Sequence, residues 1–473
     1  MQRGIRLSGR DRAILGGALR GLLAVGLLAT AQLIGGQPEV RAASSTFSTT
    51  DRFVAPGGSD AGPGSLRSPW RTIEHAVELA PGAIYLRAGA YPGGITIRRS
   101  GLVLSGYPGE TAVIRGGGRD VVRFQDVTSG ALRHLVVRDA PQVGGSGVIV
   151  ASSSNVRIEG DVLRDNRSYG VRTWNSTNVR IADNDIFGND TGIQVSYVSN
   201  GVVVADNLVH DNDRMIVNTR DVYGDDHGAV GIVFLKTTGA SLATGNQVWG
   251  NRAASFDYGQ DGGAFEIYGA SDVTISDNVA WDNKDVLETG TSGLPCARLH
   301  FVRNLAYAAS SLLGWSRGLI LACASNSLVA NNTLDGFDVS AVSVVQDRGN
   351  LYLGSVDGLV VTNNILVSDG APVYHLANVP ATVRIDRNLV WNRAGRAIAW
   401  IDGRGSTASW SAFRAWTGFE STGRHRDPEF DVASGLDYRL QPTSPGIDRG
   451  VDIPGLTDGY LGNGPDLGRW ETR

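Results

Sequence analysis

Residues 179–207 read VRIADNDIFGNDTGIQVSYVSNGVVVADN, and this stretch decides the fold. VRIADN (179–184) and VVVADN (202–207) share one frame: apolar, any, apolar, two small or polar residues, then Asn. The frame recurs as VTISDN (273–278), LHFVRN (299–304), SLVANN (327–332), LVVTNN (359–364) and VRIDRN (383–388), with a weaker copy ending at Asn246. Several of these Asn open a second frame that ends on another Asn: NDIFGN (184–189), NLVHDN (207–212), NQVWGN (246–251) and NVAWDN (278–283). Successive Asn of the first frame lie 23, 39, 32, 26, 28, 32 and 24 residues apart. Alternation inside a unit of ~20–30 residues is the mark of a solenoid of short strands. No 3.6-residue apolar stripe crosses the units, which disfavours helical repeats. The Leu frame of leucine-rich repeats is absent, and a four-stranded propeller blade does not fit 23 residues.

The expectation is a single-stranded right-handed parallel β-helix of about ten coils with a short N-terminal helical cap. Asn at a fixed corner can stack from coil to coil, each amide bonding the next. Composition agrees. The 473 residues include 63 Gly, well above the usual ~7%, and a net charge of −4 argues against a nucleic-acid partner. Residues 72–80 have helical spacing and would cap the open N-terminal end; the tail would cover the other end. The division is 51–100 for the cap and first coils, 101–400 for the β-helix and 401–473 for the C-terminal cap segment.

Residues 1–43 stand outside this pattern. Arg3, Arg6, Arg10, Arg12 and Arg20 precede the apolar run 21–34, and small residues at 42–43 suit cleavage. This reads as a secretory signal, being short for a span of ~20 residues. The expectation is a secreted, extracellular monomer, free of the membrane after signal removal.

Counting back from each Asn aligns the strands. Val171, Ile193 and Phe265 fall inside. Arg172, Gln194 and Glu266 fall outside on one face, followed by Trp174 and Tyr268. In the intervening coil, whose frame is irregular, Phe234 is set beside Glu266 and Lys236 beside Tyr268. The most economical register of VLETGT (286–291) sets Glu288 beside Glu266. Flat rings among charges make a sugar-binding face. The preceding turn is acidic in three successive coils: Asp190, then Asp225 and Asp226 beside His227, then Asp257 and Asp261. The same register brings Cys296 and Cys323 to nearly one turn of adjacent coils, so a disulfide is expected.

Both ends of the chain resemble those of secreted β-helix proteins that include polysaccharide lyases, glycoside hydrolases and epimerases. NDTGIQV (189–195), DDHGAVGIVFLK (225–236) and DGGAFEIY (261–268) resemble a series in family-nine pectate lyases. That resemblance implies Ca²⁺-binding aspartates, here Asp190, Asp225, Asp226, Asp257 and Asp261, and a lysine base. His227-Gly228, Glu266 in place of Asp, and the added Glu288 depart from the family's pattern.

The chemistry implied first is β-elimination on an acidic polysaccharide. Ca²⁺ and Arg172 would neutralise the uronate carboxylate, and Lys236 would take the C5 proton. Trp174, Gln194, Phe234, Tyr268 and His227 would line the substrate. The rival is hydrolysis by Glu266 and Glu288, whose carboxyls on neighbouring coils would lie ~5 Å apart. A C5-epimerase and a non-catalytic carbohydrate-binding β-helix are the further alternatives. Lys284, on the turn after an Asn position, is read as a surface residue.

Overall fold

The computed structural model describes residues 47–308, 316–346, 353–431 and 438–472. The leader expected over residues 1–43 lies outside them. Three sheets of thirteen strands each run the length of the 48–473 unit, from Arg52–Val54 to Arg424–His425. Every consecutive pair is parallel except the last pair of the second sheet, Ala399–Ile401 with Gly405–Thr407. Each strand pairs with its counterpart one coil later, about 4.8 Å away, so the architecture is a parallel β-helix.

Thirteen rungs exceed the ten or so expected. In the coils before Asn184 the same corner carries Asp161 and Leu135, so the Asn frame does not reveal them. Among the described residues two helices are present. Ile73–Leu79 is capped by the Thr72 hydroxyl, which accepts from the His75 N–H, and buries Ile73 and Ala76 over the first coils. Trp410–Thr417 was not expected. Ser409 caps its start, and Gly418 ends it at φ +75°.

The core is a set of inward columns. In the second sheet Val171, Ile193, Ile232, Phe265, Leu287, Leu319, Val342 and Tyr374 succeed one another rung by rung. All are buried, and each removes a side chain worth ~1.5–3 kcal/mol from water. Two amide ladders line the corners. One runs through Asn184, Asn207, Asn246, Asn278, Asn304, Asn332, Asn364 and Asn388. The other runs through Asn166, Asn189, Asn212, Asn251 and Asn283. Each Nδ2 donates to the next Oδ1, satisfying amides that would otherwise be buried unpaired. On the outer face of the third sheet, Phe187, His210, Trp249 and Trp281 stack ring on ring, with centroids 4.2–5.0 Å apart.

Cys296 and Cys323 form a disulfide with Cα atoms 5.3 Å apart. It joins neighbouring coils just after their second-sheet strands.

Candidate active site

The outward column of the second sheet positions the chemistry. Arg172, Gln194, Val233, Glu266 and Glu288 occupy successive rungs at one register position. Glu266 therefore stands directly beside Glu288. Both point away from the core into a cavity of about 750 Å³.

Two hairpins wall this cavity. One, Met215–Val217 with His227–Gly228, comes from the insertion behind the 39-residue spacing; the other is Ala253–Ser255 with Gly259–Asp261. Of the residues singled out from sequence, Gln194, Asp226, His227, Asp257, Asp261, Glu266, Tyr268 and Glu288 line the cavity. Tyr258, Lys284, Asp285 and Arg317 join them.

Phe234 is the first correction. Val233, not Phe234, sits beside Glu266; Phe234 is fully buried between Val195 and Ile267. The run AVGIVFLK is apolar at both parities, so its alternation leaves the face open. The core decides it, because a one-residue slip would turn Ile232 and Phe234 into solvent.

The same slip moves Lys236. Leu235 pairs with Tyr268, and Lys236 lies past the strand end at φ +53°. Its ammonium sits 5.9 Å over the Tyr197 ring rather than in the cavity.

Arg172 and Trp174 lie on the same face but do not line the cavity. Arg172 is sandwiched by Tyr169 at 4.8 Å and Trp174 at 4.7 Å.

The lysine inside is Lys284, only 4% exposed, with Nζ 3.1 Å from Asp285 Oδ1. It follows Asn283 directly, at the corner position that Asp190 holds after Asn189. That shared position was the signal available in the sequence.

Asp190 does not join the acidic group. It is fully buried, with its oxygens 3.3 Å from Arg167 and 3.2 Å from Arg214. Two guanidiniums meet the charge that a cation would have met. Among the described residues, one acidic trio places oxygens within 4.8 Å of one another: Asp225, Asp226 and Asp257.

Hard oxygens at that spacing suit Ca²⁺; donors occupy those of Asp226 and one of Asp257, while Asp225 Oδ1 is buried with no hydrogen-bond partner. Asp226 accepts from Thr219 N–H at 2.8 Å, Ser255 Oγ at 2.7 Å and Asp257 N–H at 2.9 Å. Asp257 Oδ2 accepts from the N–H groups of Gly224, Asp225 and Asp226. These bonds hold the Asp226 carboxyl below its usual range against its burial and tie the two hairpins together. Asp225 Oδ1 is left without a partner, so the trio is able to hold a cation, which would share its other oxygens with N–H donors; no step is routed through one. His227 leans on the same loop, its Nδ1 3.0 Å from Asp225 O.

The deeper carboxyls are of another kind. Burial lifts Asp261 to about 6. Burial, reinforced by the Asp285 charge, lifts Glu288 to about 7. Burial, with the Glu288 charge beside it, lifts Glu266 well above its usual range. Tyr268 donates its hydroxyl to Glu288 Oε1 at 2.8 Å, which favours the charged form of Glu288 over that of Glu266. Asp285 is also lifted by burial, opposed by Lys284 and by Arg317 on the next rung. The arrangement offers a neutral acid and an anion one rung apart, a pairing that drives acid–base and nucleophilic chemistry.

Residues 111–280 match the family model described as a right handed beta helix region. The fold is a right-handed parallel β-helix. No curated protein sequence matches the chain. Among solved structures, the complex of XylC with xylose superposes with a TM-score of 0.53 at 10% identity, over 80% of this chain and 87% of that one. The Dettilon tailspike protein gives 0.54 at 13% identity, over 74% and 68%. The pectate lyase Pel9A gives 0.48 at 16% identity, over 89% and 96%. At such identities these likenesses concern the β-helix scaffold; chemistry must be argued from the site.

Proposed function

We propose that the protein is a carbohydrate-active enzyme that hydrolyses a glycosidic bond with Glu266 and Glu288. One observation carries the reading: the two glutamates are register partners on adjacent strands, facing one cavity. Adjacent strands lie about 4.8 Å apart, close to the ~5–5.5 Å between the carboxyls of retaining glycosidases.

Glu266, the more strongly neutral of the pair, protonates the glycosidic oxygen as the C1–O bond breaks. Glu288, kept anionic by Tyr268, attacks C1 and forms a glycosyl ester. Water, deprotonated by Glu266, then releases the sugar and restores both groups. Anomeric configuration is retained. Asp261, farther along the wall, adds to the negative field that favours positive charge developing at C1.

β-Elimination, the reading favoured from sequence, ranks second. It required Lys236 at the cavity, and the lysine now there is tied to Asp285. Assay of soluble polysaccharides for new reducing ends and for ultraviolet-absorbing unsaturated ends separates the two. Hydrolysis yields only the former; an unsaturated product overturns the hydrolase.

The partner is a polysaccharide or oligosaccharide, and the place of action is extracellular. Two observations support this: the leader-like residues 1–43 and the disulfide, which suits an oxidising compartment. Among the described residues no helix is long and apolar enough to cross a membrane.

A further inference from the structure

Beyond the cavity, the same face carries a row of rings and cations that the hydrolytic chemistry does not use. Trp174, 37% exposed, stacks on Tyr197 with centroids 3.9 Å apart. Arg172 closes one end of that stack, its other side on Tyr169, and Lys236 closes the opposite end over Tyr197.

Several cations along these coils are paired: Arg123 with Asp120, Arg167 and Arg214 with Asp190, Arg252 with Asp282, Lys284 with Asp285. Among the described residues Arg172 and Lys236 make no ion pair. Arg172 Nε is buried with no acceptor. A guanidinium set between two rings, with no acceptor from the protein, leaves N–H groups for a planar or tetrahedral oxyanion.

The row also has a defined distance from the chemistry. Arg172 shares its outward column with Glu266 but stands three rungs away, about 14–15 Å at the strand spacing. It is too far to touch the sugar being cut. Tyr169, which stacks on Arg172, also lines the cavity, so a chain lying along the solenoid axis would pass from one to the other.

We infer that Arg172 and Lys236, set around the Trp174–Tyr197 stack, form a distal subsite for an anionic sugar of the substrate. The exposed edge of Trp174 borders the sugar's apolar side, and Arg172 takes its carboxylate or sulfate. The inference rests on the proposed carbohydrate reading and adds a substrate class to it.

The test uses the full mature protein carrying Glu266→Gln, so that binding is read without turnover. Titration calorimetry with a uronate hexasaccharide, a sulfated galactan hexasaccharide and a neutral xylan hexasaccharide separates carboxylate, sulfate and uncharged chains. One anionic probe should bind. Arg172→Gln should weaken it about 10–100-fold, the range for a lost charge-assisted hydrogen bond, and flatten its salt dependence. Arg172→Lys, which keeps the charge, should lose less, and it serves if the glutamine variant melts early. The disaccharide of the same sugar, too short to span the gap, should bind equally to both proteins.

Unchanged affinity for both anionic hexasaccharides in Arg172→Gln, equal loss for the neutral one, or binding of the neutral one alone overturns the subsite. Failure of the hydrolase reading shows separately, as wild-type protein that releases no reducing ends while this binding pattern persists.

Discussion

Asn388 Nδ2 donates to Glu420 Oε1 at 2.7 Å, and this bond ends the longer asparagine ladder. Glu420 is fully buried at φ +55°, and its carboxyl fills the side-chain space of Gly423, which stands opposite Asn388 on the next rung. Its carboxyl also accepts from the Asn388 N–H at 3.2 Å and from the Tyr374 hydroxyl at 2.6 Å. A carboxylate accepts as an amide oxygen does but has no N–H to pass on, so the ladder stops there with its donors satisfied.

Glu420→Leu should therefore destabilise the protein by about 2–4 kcal/mol, because buried donors lose their acceptor; Glu420→Gln should cost far less. Burial raises Glu420 to about 7 in the fold. A carboxyl with a raised folded value contributes most below its unfolded value and loses that contribution as pH climbs through about 7. Asp261 and Glu288 shift the same way. The melting temperature should fall between pH 5 and pH 8, and Glu420→Gln should reduce that slope. A slope that does not change removes Glu420 from the account.

The other end of the ladder carries a complementary flaw. Asp161 Oδ1 accepts from the Leu135 N–H, and the Asp161 N–H donates to Asn184 Oδ1. Asp161 Oδ2, where a later rung has Nδ2, is buried without a donor. Burial pushes this carboxyl well above its usual range. Asp161→Asn should supply the missing N–H and raise stability by about 1 kcal/mol, with the gain growing as pH rises. Chemical denaturation at pH 5 and pH 8 reads both; a loss of stability at pH 8 contradicts the ladder argument.

Cys296 and Cys323 are separated by 27 residues. Closing a loop of that length restricts the unfolded chain by about 3 kcal/mol. Unreduced denatured protein should titrate no free thiol, and reduction should lower the melting temperature. Two titratable thiols would refute the crosslink.

The repeat frame made the scaffold legible because core burial and corner amides impose the same residues on every coil. It revealed the disulfide and the Glu266–Glu288 register for the same reason, while the Ile73–Leu79 cap showed through its own helical spacing. It failed where residues escape that constraint. AVGIVFLK is apolar on both faces, which displaced Phe234 and Lys236. Asp190 shares its acidic turn with Asp225 and Asp226, yet only the fold reveals the guanidiniums of Arg167 and Arg214 against it. Asp161 and Glu420 end the ladder without matching its frame.

The acidic trio bears on turnover only if a cation sits there. Donors take the Asp226 oxygens and Asp257 Oδ2, Asp225 Oδ1 has none, and the reacting carboxyls lie outside the trio. Chelator should leave product formation unchanged. A chelator-sensitive rate restored by Ca²⁺ would return the trio to the chemistry.

The most direct test is product analysis on a polysaccharide that the protein degrades, comparing wild type with Glu266→Gln and Glu288→Gln. The account predicts saturated products with retained anomeric configuration by proton NMR, and a rate lowered by at least ~10³-fold in each variant. It further predicts rescue of Glu288→Gly by azide, with inverted configuration. Unsaturated products, or variants that turn over at the wild-type rate, would contradict it.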